Sequence, residues 1–580
     1  MIEEKNTDNF QKAKEEADKV EQLIISTLEE GKNFRVEAGA GSGKTYSLNK
    51  VIEWIQENRG VYFNQKKQNV ICITYTNAAV DVIIDRIKDK SFILPSTIHS
   101  FAWNAIKQYQ NFLVSIVKSN VEYHPKEGSI EEIIEVQYTL GHKYIDNKVL
   151  YLYHGDVITL FSKLLDNKKF RNVFSNKYPL ILIDEYQDSF EIIINKFIKY
   201  FIAEYEGPQF GFFGDSWQTI YQSNKACGLI EHDNILEIRK GSNFRSAPKI
   251  VYALNEIRPD LPQISAIDKF QGEVVVVTCN DFTGMRREDR NFKGDLPAKE
   301  LQKRLNKLSS MIKEHLMDEN ETIKTLMITH KVLAFQQGYE KLLDILNDKL
   351  KDKDDPLLLF FMNTVESILK ALQSSDMPLL FETLGVKRYP ITKKSQKKQW
   401  KAFKNDLIVA RGKLAVDVLI TVIESKLVPI PKEINDIYSL YLKNPDSSYG
   451  NTTVKDYLNT DYSQFLAAIS FCYPETEFST EHGVKGEEYD NVIFAITKGW
   501  NQYQFDVYAP MIKYGVPKDK EDSFIRNRNL FYVCCSRPKK RLFIFVSMYI
   551  ENQFETFLKL LSGDDNYYTY QEYISRLGNL

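Results

Sequence analysis

The stretch Glu37-Ala38-Gly39-Ala40-Gly41-Ser42-Gly43-Lys44-Thr45 decides the fold of this chain. It follows a short apolar alternation at Phe34 and Val36 and precedes a run that favours a helix. This order of strand, glycine-rich loop and helix is typical of a loop that wraps a triphosphate with its backbone N–H groups. In such a loop Lys44 reaches the β- and γ-phosphates, and the Thr45 hydroxyl ligates Mg²⁺. The alternative is a glycine-rich turn that matches by chance, since Ala38 stands where the first glycine is usual.

A second stretch supplies carboxylates for hydrolysis. The apolar run 179–183 has the pattern of a central parallel strand covered on both faces, and Asp184-Glu185-Tyr186-Gln187-Asp188 follows it. A carboxylate at the carboxyl end of such a strand lies beside the phosphate loop. We therefore expect Asp184 to hold Mg²⁺ through water and Glu185 to act as general base for the attacking water. A solvated acidic turn is the alternative.

Composition indicates several ordinary folded domains. With 580 residues, 43% of them hydrophobic and 27% charged, the chain is long enough for separate cores. The net charge of −2 does not by itself indicate binding to nucleic acid, so any basic surface must be confined to part of the protein. No apolar stretch approaches membrane-spanning length, the first residues are polar, and the six cysteines show no CxxC spacing. These observations predict a cytoplasmic protein with reduced thiols and no membrane partner.

Alternating strand and helix patterns predict an α/β fold with two parallel sheets. Strand-like apolar runs recur in both halves of the chain, and two intervening stretches look mainly helical. We interpret these stretches as insertions, one into each lobe. The predicted organisation is a first lobe at 1–95 and 179–240 with an insertion at 96–178, and a second lobe at 241–370 and 476–580 with an insertion at 371–475.

Eight stretches, in order along the chain, resemble the motifs of the UvrD/Rep/PcrA group of superfamily 1A DNA helicases. The loop Ala38–Thr45 is similar to motif I, and Asp184–Asp188 to motif II. The other matching stretches are Thr74–Ala79, Ser96–Phe101, Gly214–Tyr221, Asn243–Ser246, Thr480–Glu488 and Tyr532–Lys539. This resemblance implies two RecA-like P-loop lobes, with ATP in the cleft between them and single-stranded DNA across their tops.

The resemblance also implies roles for residues around ATP. Gln218 would sense the γ-phosphate, while Arg245 and Arg537 would reach it from the second lobe. Two guanidiniums aimed at a transferring phosphoryl group stabilise its charge only when the lobes close, which ties hydrolysis to closure. The implied catalytic residues are Lys44, Glu185, Gln218, Arg245 and Arg537. The implied Mg²⁺ ligands are Thr45 and Asp184. The implied nucleotide contacts are Ala38, Gly39, Ala40, Gly41, Ser42, Gly43, Lys44, Thr45, Phe244 (adenine stacking), Gln22 (adenine reading) and Glu488 (sugar). For Gln22, an exposed helix glutamine is the alternative.

For DNA, the resemblance points to Tyr75, Thr76, His99, Phe101 and His482. Aromatic faces that stack on bases give a grip that tolerates any sequence. The chain departs from the family pattern after motif III, where Ser223 replaces the usual aromatic residue. Trp217 is the candidate substitute, although it lies on the other side of Gln218. The departure concerns the grip on DNA and leaves ATP hydrolysis untouched.

A lysine-rich stretch in the second insertion has two interpretations. Residues 387–413 carry ten basic residues and one acidic residue, with Trp400 and Phe403 interleaved. The stretch is either a solvated helix face or a patch that contacts duplex junctions or a protein partner.

The sequence therefore predicts an ATP-dependent DNA helicase or translocase, with 3′→5′ polarity implied by the resemblance alone. Both insertions look shorter than those of full-length repair helicases. About forty residues follow the last motif, so we expect no fused nuclease. The runner-up is a DNA-triggered ATPase switch that unwinds little and acts through a partner nuclease. The chain also resembles the helicase-like subunit of two-gene anti-phage systems such as Gabija, whose partner is a Toprim nuclease.

Overall fold

The structure is a computed structural model, and its described part comprises residues 3–74, 76–87, 92–125, 129–139, 143–220, 226–290, 292–327, 334, 337–347, 350, 355–385, 393–472, 477–480, 485–498, 503–550 and 552–579. Its strands, in chain order, are β1 (Asn33–Ala38), β2 (Val70–Thr74), β3 (Ile93–Thr97), β4 (Glu135–Tyr138), β5 (Tyr144–Asp146), β6 (Val149–Leu152), β7 (Leu180–Asp184), β8 (Gln209–Gly214), β9 (Ile235–Lys240), β10 (Ser242–Asn243), β11 (Ile264–Ser265), β12 (Glu273–Thr278), β13 (Ile323–Met327), β14 (Ser448–Tyr449), β15 (Thr452–Thr453), β16 (Phe478–Thr480), β17 (Tyr489–Ile496), β18 (Pro538–Val546) and β19 (Tyr567–Thr569).

The α-helices, in chain order, are α1 (Glu3–Glu29), α2 (Lys44–Lys66), α3 (Asn77–Arg86), α4 (Ile98–Ile106), α5 (Gln110–Ser119), α6 (His154–Leu165), α7 (Lys168–Lys177), α8 (Glu191–Phe197), α9 (Pro248–Ile257), α10 (Ala298–Leu316), α11 (Glu340–Leu346), α12 (Pro356–Phe360), α13 (Ser367–Ser374), α14 (Met377–Leu384), α15 (Lys394–Ala410), α16 (Ala415–Ser425), α17 (Lys432–Lys443), α18 (Val454–Leu458), α19 (Tyr462–Cys472), α20 (Phe505–Tyr508), α21 (Met511–Tyr514), α22 (Glu521–Cys535), α23 (Asn552–Ser562) and α24 (Tyr570–Gly578). Two π-helical segments, Ile198–Ile202 and Phe361–Glu366, extend α8 and α12. Within the described residues, every helix is too short or too polar to cross a lipid bilayer.

The first lobe is built on a six-stranded sheet in the order β3-β2-β7-β8-β1-β9, and all its strand pairs are parallel. Its strands β2 and β7 are buried along their whole length, as their continuous apolar runs predict. Because the strands are parallel, the loop after β1 and the acidic motif after β7 lie at the same edge of the sheet. The sheet therefore places the phosphate-loop sequence and Glu185 side by side.

The second lobe repeats this design. Its sheet has the order β16-β13-β17-β18-β12-β19, and every pair is again parallel. Ile493 of β17 and Val275 of β12 both pair with Phe543 of β18, which places three apolar runs at the centre of the sheet. The two parallel sheets confirm the predicted α/β fold with two RecA-like lobes.

The first insertion is mainly helical, but it also contains a small sheet that the sequence did not predict. Its strands follow the order β4-β6-β5, with β4 parallel and β5 antiparallel to β6. Each strand is only three or four residues long and mixes polar with aromatic residues. Such short strands give no usable periodicity.

The second insertion is a helical body with its own hydrophobic core. This core extends from Ala334 to Ile469 and already includes Leu357 and Phe361. The predicted boundary at residue 371 falls inside α13, so it lies too late along the chain. The error arises because the apolar run before residue 371 looked like part of a lobe core, whereas it packs on the helices that follow it.

Candidate nucleotide cleft and nucleic-acid interface

A cleft of about 690 Å³ lies between the two lobes. The first lobe contributes the whole loop Ala38–Thr45, together with Glu185 and Gln218. Among the residues that the second lobe contributes are Phe244, Arg245, Gly486, Glu488 and Arg537. The cleft thus brings together, from distant parts of the chain, most of the nucleotide-site residues that the sequence predicted.

Two glycines shape the loop at the floor of the cleft. Gly41 has φ 74° and Gly43 has φ 79°, a left-handed conformation that residues with a Cβ rarely adopt. Gly43 is the N-cap of α2, so the loop leads directly into a helix N-terminus. A Cβ at Gly41 would stand 2.7 Å from the Asn243 Oδ1 atom. Both the backbone conformation and the close approach of the second lobe therefore require glycine.

The second lobe holds the loop at Ala40. The Ala40 N–H donates to the Tyr532 hydroxyl at 3.0 Å, and the Ala40 carbonyl accepts from the Asn243 side-chain amide at 3.0 Å. The Gln263 side-chain amide donates to the same carbonyl at 3.1 Å. All three partners are buried and come from segments after residue 240. The conformation of the loop therefore depends on both lobes.

Lys44 and Glu185 form the central ion pair of the cleft, with 2.7 Å between Nζ and Oε2. The Gln187 amide donates to the same Glu185 oxygen at 2.6 Å, and Glu185 itself has a left-handed backbone with φ 48°. Burial alone raises the pKa of a carboxyl, but the positive charges of Lys44 and Lys485 outweigh it and lower the pKa of Glu185. Glu185 is therefore ionised at neutral pH.

The oxygen atoms next to this pair fit a magnesium ion. Asp184 ends β7 and is almost fully buried, and burial together with the negative charge of Glu185 raises its pKa. Thr45 lines the cleft at the start of α2. A carboxylate and a hydroxyl beside a phosphate loop are the hard oxygen donors that Mg²⁺ takes together with phosphate oxygens and water.

Cations from the second lobe face the loop. Arg245 and Lys539 share the carboxylate of Glu488, at 2.9 and 2.7 Å. Arg537 is almost fully buried, and its guanidinium lies 3.5 Å from the Gln218 Oε1 atom. Burial and the positive charge of Arg245 together lower the pKa of Arg537 to about 10, which leaves it charged at neutral pH.

The charge of the cleft suits a polyphosphate. Among the described residues that line it, six are lysines or arginines and three are carboxylates. This excess of positive over negative side chains in a partly buried cleft attracts a multiply charged anion.

Sequence reasoning missed several residues of the cleft, namely Ile267, Lys269, Phe270, Asp490 and Lys540. The basic run Lys539-Lys540-Arg541, which starts at the final residue of the last motif, is a signal that could have identified Lys540. Lys269 and Phe270 lie in an irregular segment without periodicity, so no sequence pattern marks them.

Gln22 is exposed on α1 and is absent from the described residues that line the cleft. Its neighbour Glu21 points inward instead, where it accepts hydrogen bonds from Ser47 and from Lys240 at 2.7 Å. The structure thus matches the alternative interpretation of Gln22 as a solvated helix residue, and adenine reading by this side chain is not supported.

Of the five predicted DNA contacts, Tyr75 and His482 lie outside the described residues. Thr76 is exposed, and its hydroxyl caps α3 by accepting a hydrogen bond from the Ala79 N–H. His99 is half-buried, with its ring 4.5 Å from that of His154. Burial and the proximity of His154 lower the pKa of His99 to about 4, so this ring carries no charge for a phosphate at neutral pH.

The fifth predicted contact, Phe101, is wrong. Its side chain is only 3% exposed and packs edge-on against Phe161, Phe174 and Tyr178. A ring enclosed by three aromatic neighbours cannot present a face to a base. The motif resemblance located the correct helix, but this residue on it faces the core.

Two other aromatic expectations need correction. Trp400 and Phe403, interleaved among the lysines of α15, are both buried and pack edge to face at 6.0 Å. Trp217, the candidate substitute for the missing aromatic, lies with the Arg528 guanidinium 3.7 Å above its ring. These three rings belong to packed interfaces. Lys394, Lys397, Lys398 and Lys401 of α15 remain an exposed basic face.

Comparisons with known proteins agree with this geometry. A family model described as an AAA domain matches residues 21–224. The Gabija protein GajB of Bacillus cereus (strain HuB5-5) is 23% identical to this chain, over 95% of this chain and 98% of its own length. A probable DNA helicase II homolog of Mycoplasma capricolum is 23% identical over 57% of this chain and 51% of its own. The mitochondrial ATP-dependent DNA helicase HMI1 of Saccharomyces cerevisiae is 24% identical over 40% and 39%.

These matches confirm the resemblance to UvrD/Rep-like helicases and to a Gabija protein. The relatives named as helicases match part of the chain, whereas the match to GajB extends over nearly all of it.

Proposed function

We propose that this protein hydrolyses ATP in the cleft between its lobes and uses the resulting closure to move 3′→5′ along single-stranded DNA. One observation carries the proposal: the Lys44–Glu185 pair of the first lobe faces Arg245 and Arg537 of the second lobe within the same cleft. Each lobe alone holds half of a phosphoryl-transfer site, and the two halves meet only across the cleft.

The proposed roles follow from charge and position. The Lys44 ammonium binds the β- and γ-phosphates and leaves Glu185 to accept the proton of the attacking water. Gln218 orients the γ-phosphate, and Arg245 and Arg537 stabilise the negative charge that spreads over its oxygens. Thr45 and Asp184 would hold a Mg²⁺ ion, which would supply further positive charge to the phosphates. Phe244, which is 42% exposed at the cleft, offers a face for the adenine ring.

Coupling to DNA follows from the same arrangement. Arg537 and Lys485 belong to the second lobe, but both contact Gln218 of the first lobe. Hydrolysis and product release therefore change the attraction between the lobes, and a DNA strand bound across both lobes is displaced with each cycle.

The experiment compares the ATPase rate of the wild type and the Lys44→Ala variant, with and without single-stranded DNA. We expect DNA to stimulate the wild type strongly and the variant to be inactive. Lys50→Ala is the matched control, since Lys50 is an exposed lysine on the same helix whose contacts, an ion pair with Glu53 at 2.8 Å and the Tyr46 ring at 5.6 Å, lie outside the cleft. Activity that persists in Lys44→Ala, or is lost equally in Lys50→Ala, would contradict the assignment.

A second candidate function is favoured by the similarity to Gabija protein GajB over 95% of the chain. In this alternative the protein is a DNA-triggered ATPase that acts through a partner nuclease in phage defence and unwinds little duplex. The same cleft serves both functions, because both need nucleotide-dependent closure.

Strand displacement separates the two functions. A helicase displaces the labelled strand from a duplex with a 3′ single-stranded tail but not from one with a 5′ tail. The alternative predicts DNA-stimulated hydrolysis with both duplexes intact, together with co-purification of a nuclease. Displacement from the 5′-tailed duplex alone would overturn the proposed polarity.

A further inference from the structure

Arg258 is a fully buried arginine at the lobe interface. It follows α9, which packs on β12 and β18 of the second lobe. Its side chain is 2% exposed, and its guanidinium reaches across to the first lobe. There Nη2 donates to the Glu37 carboxylate at 2.7 Å, and Nη1 donates to the Asp215 carboxylate. One side chain of the second lobe thus bridges two buried carboxylates of the first.

Both carboxylates lie next to the phosphate-sensing machinery. Glu37 immediately precedes the phosphate loop. Asp215 follows β8 and caps the short 3-10 helix Ser216–Gln218, accepting from the Trp217 N–H at 3.1 Å. The other Asp215 oxygen accepts from the Gln218 side-chain amide at 2.8 Å. Asp215 therefore orients Gln218, and Arg258 holds Asp215.

The chain of contacts returns to the second lobe at Arg537, whose guanidinium lies 3.5 Å from the Gln218 Oε1 atom. The Gln218 amide group is thus held from its nitrogen by Asp215 and approached at its oxygen by Arg537. Trp217 packs under the Arg258 guanidinium at 5.2 Å, which fixes the arginine from one side. Lys485 of the second lobe also reaches Gln218, but it donates to the backbone carbonyl and pairs with Asp188, so it leaves the side-chain amide to Asp215 and Arg537.

We infer that Arg258 is a positioning residue: through Asp215 it holds the Gln218 side chain in the orientation that senses the γ-phosphate, and only while the lobes are together. This inference rests on the proposed function, and it adds that the Gln218 side chain loses its sensing orientation when the lobes separate. A planar guanidinium with donors on two sides fits two carboxylates at once, whereas a lysine ammonium cannot reach both in the same geometry.

The test is a double-mutant cycle between Arg258→Lys and Gln218→Ala. The quantity measured for each variant is kcat for DNA-stimulated ATP hydrolysis. We expect Arg258→Lys alone to lower kcat by about 10- to 100-fold, as expected when a catalytic contact is misplaced. In the Gln218→Ala background the same change should lower kcat by less than about twofold, because the group it positions is gone. An equal loss in both backgrounds would overturn the inference.

Arg304→Lys is the matched control. Arg304 is also a buried arginine that bridges two carboxylates, Glu300 at 2.9 Å and Asp281 at 3.1 Å, and it stacks on Tyr570. It lies in the second lobe away from the cleft, so its variant should lower the melting temperature without changing kcat. If Arg304→Lys lowers kcat as much as Arg258→Lys does, the loss in Arg258→Lys is a general structural effect and the inference fails. Arg258→Gln, which still donates to one carboxylate, replaces the lysine variant if that variant does not fold.

A binding readout separates this inference from the proposed function. The ratio of affinities for a non-hydrolysable ATP analogue and for ADP reports γ-phosphate sensing without hydrolysis. We expect the wild type and Arg304→Lys to prefer the triphosphate and Arg258→Lys to lose that preference. If the wild type hydrolyses no ATP yet shows this pattern, the proposed function fails and the inference stands. If Arg258→Lys keeps the preference, the inference fails whatever the ATPase rate.

Discussion

Phe101→Leu tests whether a motif aromatic belongs to the core or to the DNA interface. In the structure the ring has three edge-on aromatic partners at 5.5 to 6.0 Å and almost no exposure. Each such pair contributes about 0.5–1.5 kcal/mol beyond its buried area, and leucine keeps part of the apolar volume. We therefore expect the free energy of unfolding to fall by about 2–3 kcal/mol, measured by urea unfolding followed by circular dichroism.

Affinity for single-stranded DNA should not change. Stacking of one base on an aromatic ring is worth about 1–3 kcal/mol, so loss of a DNA-stacking ring would weaken binding by about 5- to 150-fold. Fluorescence anisotropy with a labelled oligonucleotide, below the melting temperature of the variant, distinguishes the two outcomes. Phe161→Leu is the control, because Phe161 is buried in the same cluster and lies outside the motif. DNA binding weakened at least fivefold in Phe101→Leu, but not in Phe161→Leu, would refute the reasoning.

Further predictions concern the cleft and the basic helix. Glu185→Gln should abolish turnover while nucleotide binding, measured by fluorescence titration, is retained; residual turnover would remove the general-base role. Tyr532→Phe leaves the buried Ala40 N–H without its partner, so the free energy of unfolding should fall by about 1–3 kcal/mol. An unchanged free energy of unfolding would mean that this hydrogen bond does not stabilise the protein. Lys397→Glu combined with Lys401→Glu, on the exposed face of α15, should weaken duplex or partner binding and reduce its salt dependence without altering basal ATPase activity. Unchanged binding would identify the face as solvated surface.

The framework of the fold was predictable because its signals are local. Buried parallel strands are continuous apolar runs, and such runs marked β2, β7, β12 and β18 directly. The phosphate loop was predictable because its conformation demands glycine at Gly41 and Gly43. Both signals survive in a single sequence because the structure that they specify is formed by consecutive residues.

The parts that could not be predicted depend on long-range packing. Phe101 and Trp400 are aromatic residues whose burial is decided by which helix face meets the core, and motif resemblance or charge pattern carries no information on that. Arg258 lies outside every motif, Glu37 directly precedes motif I and Asp215 lies in a motif stretch, and the resemblance assigns none of them a role; the three form one cluster only because the two lobes meet. The strands β4 to β6 are too short for any periodicity to register.

The hold of the second lobe on Ala40 limits how the protein can be divided. A fragment that ends after β9 would retain the loop sequence but lose Tyr532, Asn243 and Gln263, which together satisfy the Ala40 N–H and carbonyl. Such a fragment would carry the complete phosphate-binding signature and still bind nucleotide poorly. Conversely, a substitution in the second lobe that removes one of these contacts would weaken nucleotide binding by the loop of the first lobe. Changes at Ala40 and at Tyr532 would therefore cause the same defect, although 492 residues separate the two positions.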